Sequence, residues 1–92
     1  MIRTFRDKNT ENLFKDERIV RWVNIEAIAR RKLLMVDAAI SLESLKVPPG
    51  NRLETLKGNR KGRHSIRIND QWRVCFRWED GHAYDVEIID YY

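Results

Sequence analysis

HSIRINDQWRVCFRW, residues 64–78, consists of two runs of alternating apolar and polar residues with a polar turn at 69–71 between them. Such alternation is typical of strands that bury one face, so the two runs predict an antiparallel hairpin. A slip of one residue would turn every apolar side chain to the other face, so matching the apolar positions fixes the register. In that register Ile66 pairs with Val74.

The same register places Arg67 directly opposite Arg73 on the face that does not enter the core. Like charges facing each other destabilise a sheet, so this pair calls for an explanation. Two neighbouring guanidinium groups suit a shared anion such as a phosphate, which is the interpretation we favour. The alternative is that both side chains extend into solvent or pair with Glu87 or Glu54.

A second hairpin continues the sheet into a last strand at residues 83–90. We expect a three-residue loop at 80–82, which would place Arg77 opposite Asp85 as an ordinary cross-strand ion pair. The apolar face of this strand is then Tyr84, Val86 and Ile88.

The first half of the chain is predominantly helical. Apolar residues three and four apart predict an amphipathic helix over residues 24–39 with Asn24 as its N-cap, and a short helix fits residues 10–16. Residues 1–6 predict a strand that alternates Ile2 and Thr4 with Arg3 and Phe5, and the prolines of residues 47–50 end the helical region. The predicted fold class is therefore α+β: an N-terminal strand, two helices, then antiparallel strands.

Three consecutive cations, Arg30, Arg31 and Lys32, lie in the middle of the long helix. We interpret them as the solvated side of an amphipathic helix. Two alternatives remain open, a patch for nucleic acid and a surface for an acidic partner protein.

The 92 residues are 42% apolar, which is enough for one compact domain spanning residues 1–92. Residues 52–78 carry eight Lys or Arg and two acids, whereas residues 79–92 carry five acids and no Lys or Arg. Positive charge concentrated in this way predicts a polyanionic partner. The chain has no apolar run that predicts a signal peptide or membrane span, so we expect a cytoplasmic protein.

Groups that could transfer protons lie at the end of the last strand. Asp90 could accept a proton, and Tyr91 or Tyr92 could donate one or stack on a base, although composition alone favours edge packing for the tyrosines. The two histidines lack the carboxylate or cysteine spacing of a metal site, and Cys75 in an apolar strand predicts a buried thiol. We therefore predict no metal and no cofactor.

Several segments together resemble the RelE/HigB superfamily of bacterial toxins, and most closely its HigB-like branch, the plasmid-maintenance killer proteins. The resemblance covers nearly the whole chain, and no single motif carries it alone. The similar segments are MIRTF at 1–5, PPGNRLETLKG at 48–58, SIRIN at 65–69, QWRVCF at 71–76 and VEIIDY at 86–91.

The resemblance implies a RelE-like fold of microbial-ribonuclease type. It also implies a metal-independent endoribonuclease, an mRNA interferase that enters the ribosomal A site, cleaves translated mRNA and so inhibits translation. The implied partner is a HigA-like helix-turn-helix antitoxin, through which alone the toxin would reach operator DNA.

Site residues are also implied by the resemblance, position by position. Arg67 and Arg73 match the residues that hold the scissile phosphate, and Asp90 with Tyr91 matches the C-terminal catalytic pair. Glu54 and Tyr92 stand where some relatives have histidine, so either Asp90 or Glu54 is expected as base and either tyrosine as proton donor. The expected RNA-binding residues are Lys57 and Arg60, which match the family's basic loop, and Lys61, Arg63 and Arg77 from the same basic stretch.

Two rival functions remain open. A basic domain could bind RNA or the ribosome and block translation without cutting, since the same cations would serve. The chain could also be a catalytically weakened toxin that acts as a partner of its antitoxin.

Overall fold

Four antiparallel strands form one sheet in chain order in the computed structural model, which describes residues 1–56 and 62–90. Two α-helices, α1 at Lys8–Phe14 and α2 at Glu26–Ala38, pack against one face of the sheet. Short 3₁₀ helices occur at Val20–Ile25, Leu42–Lys46 and Pro49–Asn51. The strands are β1 Glu54–Thr55, β2 Arg63–Arg67, β3 Trp72–Glu79 and β4 His82–Asp90.

The register of the β2–β3 hairpin confirms the prediction from apolar alternation. Ile66 pairs with Val74, Ser65 with Cys75, and Arg67 with Arg73. The apolar side of this hairpin packs against the helices, and Ile66 and Val74 are both fully buried. The core buried between sheet and helices includes Leu13, Trp22, Ala29, Leu33, Val36, Phe76 and Val86.

Both helices begin at other residues than the sequence predicts. Asp7 caps α1, its carboxylate accepting a hydrogen bond from the Thr10 N–H at 2.8 Å, so this helix begins at Lys8. Asn24 is not an N-cap, because the 3₁₀ helix Val20–Ile25 leads directly into α2 without a side-chain cap. The short helix lets Trp22 enter the core before α2 begins.

The N-terminal segment runs parallel to β4 instead of forming a full strand of the sheet. It is joined there by two isolated bridges, Ile2 with Ala83 and Phe5 with Val86. Ile2 and Phe5 therefore pack against the core, and the predicted alternation of Ile2 and Thr4 against Arg3 and Phe5 is wrong. None of the helices in the described part of the chain is long and apolar enough to span a membrane.

The second hairpin differs from the prediction in both its turn and its register. Glu79 pairs with His82, so the connection is the two-residue turn Asp80-Gly81, and both residues have positive φ (51° and 80°). These are the backbone angles of a type I′ turn, whose twist matches that of the strands it joins. The predicted three-residue loop is therefore wrong.

A β-bulge shifts the register further along β4. Asp85 and Val86 together lie opposite the single residue Phe76, and Asp85 has a positive φ of 53°. Arg77 consequently pairs with Tyr84 and not, as predicted, with Asp85. The extra residue also brings Ala83 to the buried face where we expected Tyr84.

The turn gives a testable prediction about stability. Gly81→Ala should lower the free energy of unfolding by about 1–2 kcal/mol, because an L side chain at positive φ is strained. Gly50→Ala is the matched control, since a Cβ there meets nothing within 4 Å and Gly50 has no positive φ. Urea denaturation of both variants checks this, and equal stabilities would contradict the turn geometry.

Candidate nucleic-acid interface

The sheet face turned away from the helices carries five of the six predicted site residues that lie in the described part of the chain, and we call it the arginine face. Cross-strand pairing aligns Glu54, Ser65, Cys75 and Glu87 in one row across all four strands. Arg67 and Arg73 form the neighbouring row with Ile89. Arg63 pairs with Arg77 on the other side of the first row.

Arg67 and Arg73 lie side by side in very different environments. The Arg67 side chain is 33% exposed and its guanidinium contacts the exposed Asp70 carboxylate at 2.6 Å. That contact lowers the pKa of the Asp70 carboxyl. The Arg73 side chain is only 6% exposed. Of the two cations, Arg67 is therefore the one that is accessible to a ligand.

The Arg73 guanidinium is held by oxygen atoms of the protein. Its Nε donates to Ser65 Oγ at 2.8 Å, and Nη2 donates to the main-chain oxygens of Arg52 at 2.5 Å and Ser65 at 3.3 Å. Arg52 has left-handed backbone angles (φ 45°, ψ 58°), which are costly for a residue with a side chain. Arg73 thus fastens the strained end of the 3₁₀ helix to the sheet.

Glu54 is the acid that the fold brings to the arginine pair. It lies in β1 opposite Ser65, and its Oε2 is 4.0 Å from Arg73 Nη2. The Glu54 side chain is about half exposed. The structure therefore assembles Arg67, Arg73 and Glu54, all three predicted from the sequence, into one surface.

Asp90 lies on the other face of the sheet. It pairs with Trp72, whose ring packs against Trp22 on the helix side. The Asp90 carboxylate accepts a hydrogen bond from Gln71 Nε2 at 3.1 Å. Strand alternation thus separates the Asp90 side chain from the arginine pair, and the structure does not bring these predicted residues together.

Arg63 is buried in a network within the arginine face. Its guanidinium donates to the main-chain oxygen of Asp85 at 2.7 Å, to Glu87 Oε2 at 3.1 Å and to Cys75 Sγ at 3.4 Å. Arg6 reaches the same Glu87 carboxylate at 3.6 Å. Arg63 was predicted to bind RNA, but its donors are directed into the protein and hold the bulge of β4.

Arg77 is more exposed than Arg63 and also contacts acids. Its guanidinium contacts Glu79 at 2.5 Å and Asp85 at 3.5 Å, and it lies 4.8 Å from the centre of the Tyr84 ring. The two acids raise the pKa of Arg77. The predicted ion pair with Asp85 is therefore made, although Asp85 is not the cross-strand neighbour.

Five predicted site residues lie outside the described part of the chain. They are Lys57, Arg60, Lys61, Tyr91 and Tyr92.

Between residues 62 and 90 and before residue 57, no group of three or more His, Cys, Asp or Glu is arranged to hold a metal ion.

Lys32 is a buried cation that our sequence interpretation placed on the solvated side of the helix. Its Nζ donates to Asn51 Oδ1 at 2.5 Å, and the residue is only 8% exposed, whereas Arg31 is exposed. The signal for burial was present, because Lys32 lies three residues after Ala29 and four before Val36, on the apolar side.

Comparison with known proteins gives a consistent family assignment. A family model described as RelE-like toxin of type II toxin-antitoxin system HigB matches residues 3–92. Toxin HigB-1 of Vibrio cholerae is 46% identical over 81 residues, covering 86% of this chain and 85% of that protein. Endoribonuclease HigB of Proteus vulgaris is 30% identical over 94 residues, covering 100% of both.

Solved structures show the same fold at low sequence identity. A YoeB-YefM complex from Staphylococcus aureus matches with a TM-score of 0.62 at 17% identity, covering 100% of this chain and 99% of that chain. YafQ from E. coli also matches with a TM-score of 0.62, at 11% identity, covering 99% of this chain and 94% of that chain.

The buried network around Arg63 gives a prediction. Glu87→Gln should lower the free energy of unfolding by about 1–3 kcal/mol, because it removes the charge that balances a buried guanidinium. Glu79→Gln is the matched control: its pair with Arg77 is exposed, so its effect should stay below about 1 kcal/mol. Chemical denaturation at neutral pH compares the two. If the free energy of unfolding falls no further in Glu87→Gln than in Glu79→Gln, the Arg63 network does not stabilise the sheet.

Proposed function

The chain belongs to the HigB-like family of RelE-like toxins of type II toxin–antitoxin systems, and we propose that it is a ribosome-dependent endoribonuclease that cleaves translated mRNA. The relative from Proteus vulgaris bears the name endoribonuclease. The observation that carries the proposal is the group of Arg67, Arg73 and Glu54 on the arginine face, which combines cations for a phosphate with a carboxylate for a proton.

The proposed reaction is an attack of the RNA on itself. The ribose 2′-oxygen forms a bond to the adjacent phosphorus and the bond to the 5′-oxygen breaks, leaving a 2′,3′-cyclic phosphate and a 5′-OH end. A base takes the 2′ proton and an acid returns one to the 5′-oxygen, so the route needs no metal. Cations at the phosphate stabilise the negative charge that grows on its oxygens.

Each of the three residues has a distinct proposed role. Arg67, which is partly exposed, contacts the scissile phosphate after its guanidinium exchanges Asp70 for the ligand. Arg73 supports the site from inside, since it fixes Arg52 and lies beside Glu54. Glu54 is the better-placed base, because Asp90 projects from the other face of the sheet.

The remaining roles rest on the family resemblance. We propose Tyr91 or Tyr92 as the donor of the proton to the 5′-oxygen, with Asp90 beside them. Lys57, Arg60 and Lys61 are proposed to contact RNA flanking the cleaved bond, where phosphate contacts supply affinity without base specificity. Arg77 would add a further phosphate contact if its guanidinium exchanged Glu79 and Asp85 for the RNA.

The proposed partners are the ribosome with its mRNA and a HigA-like antitoxin. One of the similar solved structures is itself a complex, YoeB with YefM. The antitoxin would hold the toxin inactive and would account for any binding to operator DNA.

A weakened toxin is the second candidate function, and the position of Asp90 favours it. Some relatives have histidine where this chain has Glu54 and Tyr92. Because Asp90 lies on the far face, the role of the base rests on one half-exposed carboxylate, that of Glu54. A general base typically contributes about 10²–10⁴-fold, so a site that lacks an efficient base would still bind RNA and cut slowly.

Arg67 provides the sharpest test of the main proposal. Arg67→Gln should reduce mRNA cleavage on programmed ribosomes about 10²–10³-fold, because it removes a cation from the charge that develops on the phosphate. The denaturation midpoint should not change, since Arg67 is partly exposed and pairs with an exposed acid. Arg18→Gln, an exposed arginine on the loop before Val20, is the control and should cleave normally.

Mapping of the 5′ ends of cellular mRNA after induction of the chain alone provides the second measurement. New cuts within translated frames that disappear in Arg67→Gln are expected. Growth arrest without new cuts would favour a toxin that binds without cleaving, and no growth phenotype would favour the weakened toxin. Full cleavage by a folded Arg67→Gln protein would contradict the phosphate role.

The two carboxylates give a prediction about the base. Glu54→Gln should lower the rate of cleavage about 10²–10⁴-fold with little change in the concentration needed for half-maximal rate. Asp90→Asn should have a smaller effect, because the Asp90 side chain lies on the opposite face. Single-turnover rates on ribosomes measure both, and a larger loss for Asp90→Asn would reverse the assignment.

A further inference from the structure

Glu54 lies on a strand that has few contacts of its own to hold it in place. β1 has only two residues, both exposed, and it forms one edge of the sheet. Its pairing with β2 extends to Leu56, whose N–H donates to the main-chain oxygen of Arg63 at 2.8 Å. Short edge segments with exposed hydrogen bonds open locally at little cost. The position of the Glu54 carboxylate therefore depends on how the chain that leads into β1 is anchored.

Asn51 anchors that chain three residues before Glu54, and its side chain is fully buried. Its Oδ1 accepts a hydrogen bond from Lys32 Nζ at 2.5 Å. Its Nδ2 donates to the main-chain oxygens of Leu45 at 3.1 Å and Val47 at 3.4 Å. A single amide group thus connects α2, the preceding 3₁₀ helix and the segment that leads into β1.

Arg52 carries a second anchor on the opposite side of the same segment. Its left-handed backbone (φ 45°, ψ 58°) is costly, and such conformations persist only where the surrounding contacts enforce them. The Arg52 main-chain oxygen accepts a hydrogen bond from Arg73 Nη2 at 2.5 Å. Successive residues are therefore held from the helix side and from the sheet side. Two residues later, Glu54 Oε2 lies 4.0 Å from the same Arg73 nitrogen.

We propose that Asn51 and Lys32 are positioning residues for Glu54: the buried hydrogen bond between them fixes the chain before β1 to α2 and so places the Glu54 carboxylate beside Arg73. This rests on the proposed function, in which Glu54 is the base. It adds a contribution from the helix layer, which acts through the backbone of residues 51–54. In this role neither Asn51 nor Lys32 contacts the RNA.

A general contribution to stability is the alternative explanation for the buried contact. In that case its loss would loosen the whole domain, and any defect in cleavage would be independent of Glu54. A positioning role instead predicts a local effect at β1 and a defect that requires the Glu54 carboxylate. Double-mutant cycles distinguish the two, because the effects of residues that act through one another are not additive.

Lys32→Met removes the donor to Asn51 and leaves no buried charge behind. We expect amide hydrogen exchange at Leu56 to become about ten-fold faster, because β1 opens more often. Exchange at Ile68 should change little, since its N–H donates to the Trp72 oxygen in the β2–β3 hairpin. Unchanged exchange at Leu56, or equal acceleration at Leu56 and Ile68, would overturn the proposal.

Lys46→Met is the matched control for the exchange measurement. It removes the same charge from the segment before Asn51, but Lys46 and its partner Glu43 are both exposed. Exchange at Leu56 should therefore match that of the unmodified protein. Acceleration as large as in Lys32→Met would trace the effect to the lost charge and would overturn the proposal.

Cleavage on programmed ribosomes gives the second test. Lys32→Met should lower the single-turnover rate about 10–10²-fold, because a misplaced group loses its effect steeply with distance. The concentration needed for half-maximal rate should not change, since Lys32 does not contact RNA. In a Glu54→Gln background the same substitution should have less than about a two-fold effect. The same loss in both backgrounds, or full cleavage by Lys32→Met, would overturn the proposal.

The unmodified protein decides the question if Lys32→Met fails to fold. Its Leu56 amide should exchange at least about 10²-fold more slowly than an unprotected amide, because an anchored strand does not fray. An unprotected Leu56 amide would overturn the proposal. Exchange needs neither ribosomes nor RNA. A wild-type protein that fails to cleave would therefore refute the proposed function, while exchange would still decide whether the contact of Lys32 with Asn51 holds β1.

Discussion

Everything on the arginine face depends on the register of the β2–β3 hairpin, and burial of its other face fixes that register. Ile66, Val74 and Phe76 are fully buried against the helices. Each such side chain stabilises the fold by roughly 1.5–3 kcal/mol, and a one-residue slip would expose all of them at once. Arg67 and Arg73 are therefore neighbours because burial of the apolar face fixes the register, even though their like charges repel each other.

The sheet tolerates so many cations on one face because each buried guanidinium is given its own oxygen acceptors. Arg73 uses the main-chain oxygens of Arg52 and Ser65, and Arg63 uses Asp85 and Glu87. These contacts also explain two costly backbone conformations, at Arg52 and Asp85, since both provide a carbonyl to an arginine. The buried arginines of the polar face therefore contribute to the stability of the fold.

Burial separates the cations into two groups with different uses. Arg63 and Arg73 hold strands and turns together, whereas Arg67 reaches solvent at the edge. Lys32 is buried like the structural arginines, and its ammonium donates a hydrogen bond to the side-chain oxygen of Asn51. Strand alternation, in contrast, places Glu54 beside Arg73 and the Asp90 side chain on the other face of the sheet.

The sequence by itself determined the α+β class, the two helices and the pairing of Arg67 with Arg73, since periodicity of apolar residues encodes which face is buried. Tertiary structure alone decided the bulge at Asp85, the burial of Arg63 and Arg73, and the contact of Lys32 with Asn51. Bulges insert one residue without changing composition, and side-chain burial depends on segments distant in the chain, such as residues 51–54 beside α2. Local patterns carry no record of those long-range contacts, so the sequence alone did not predict which of these cations are buried or which atoms they contact.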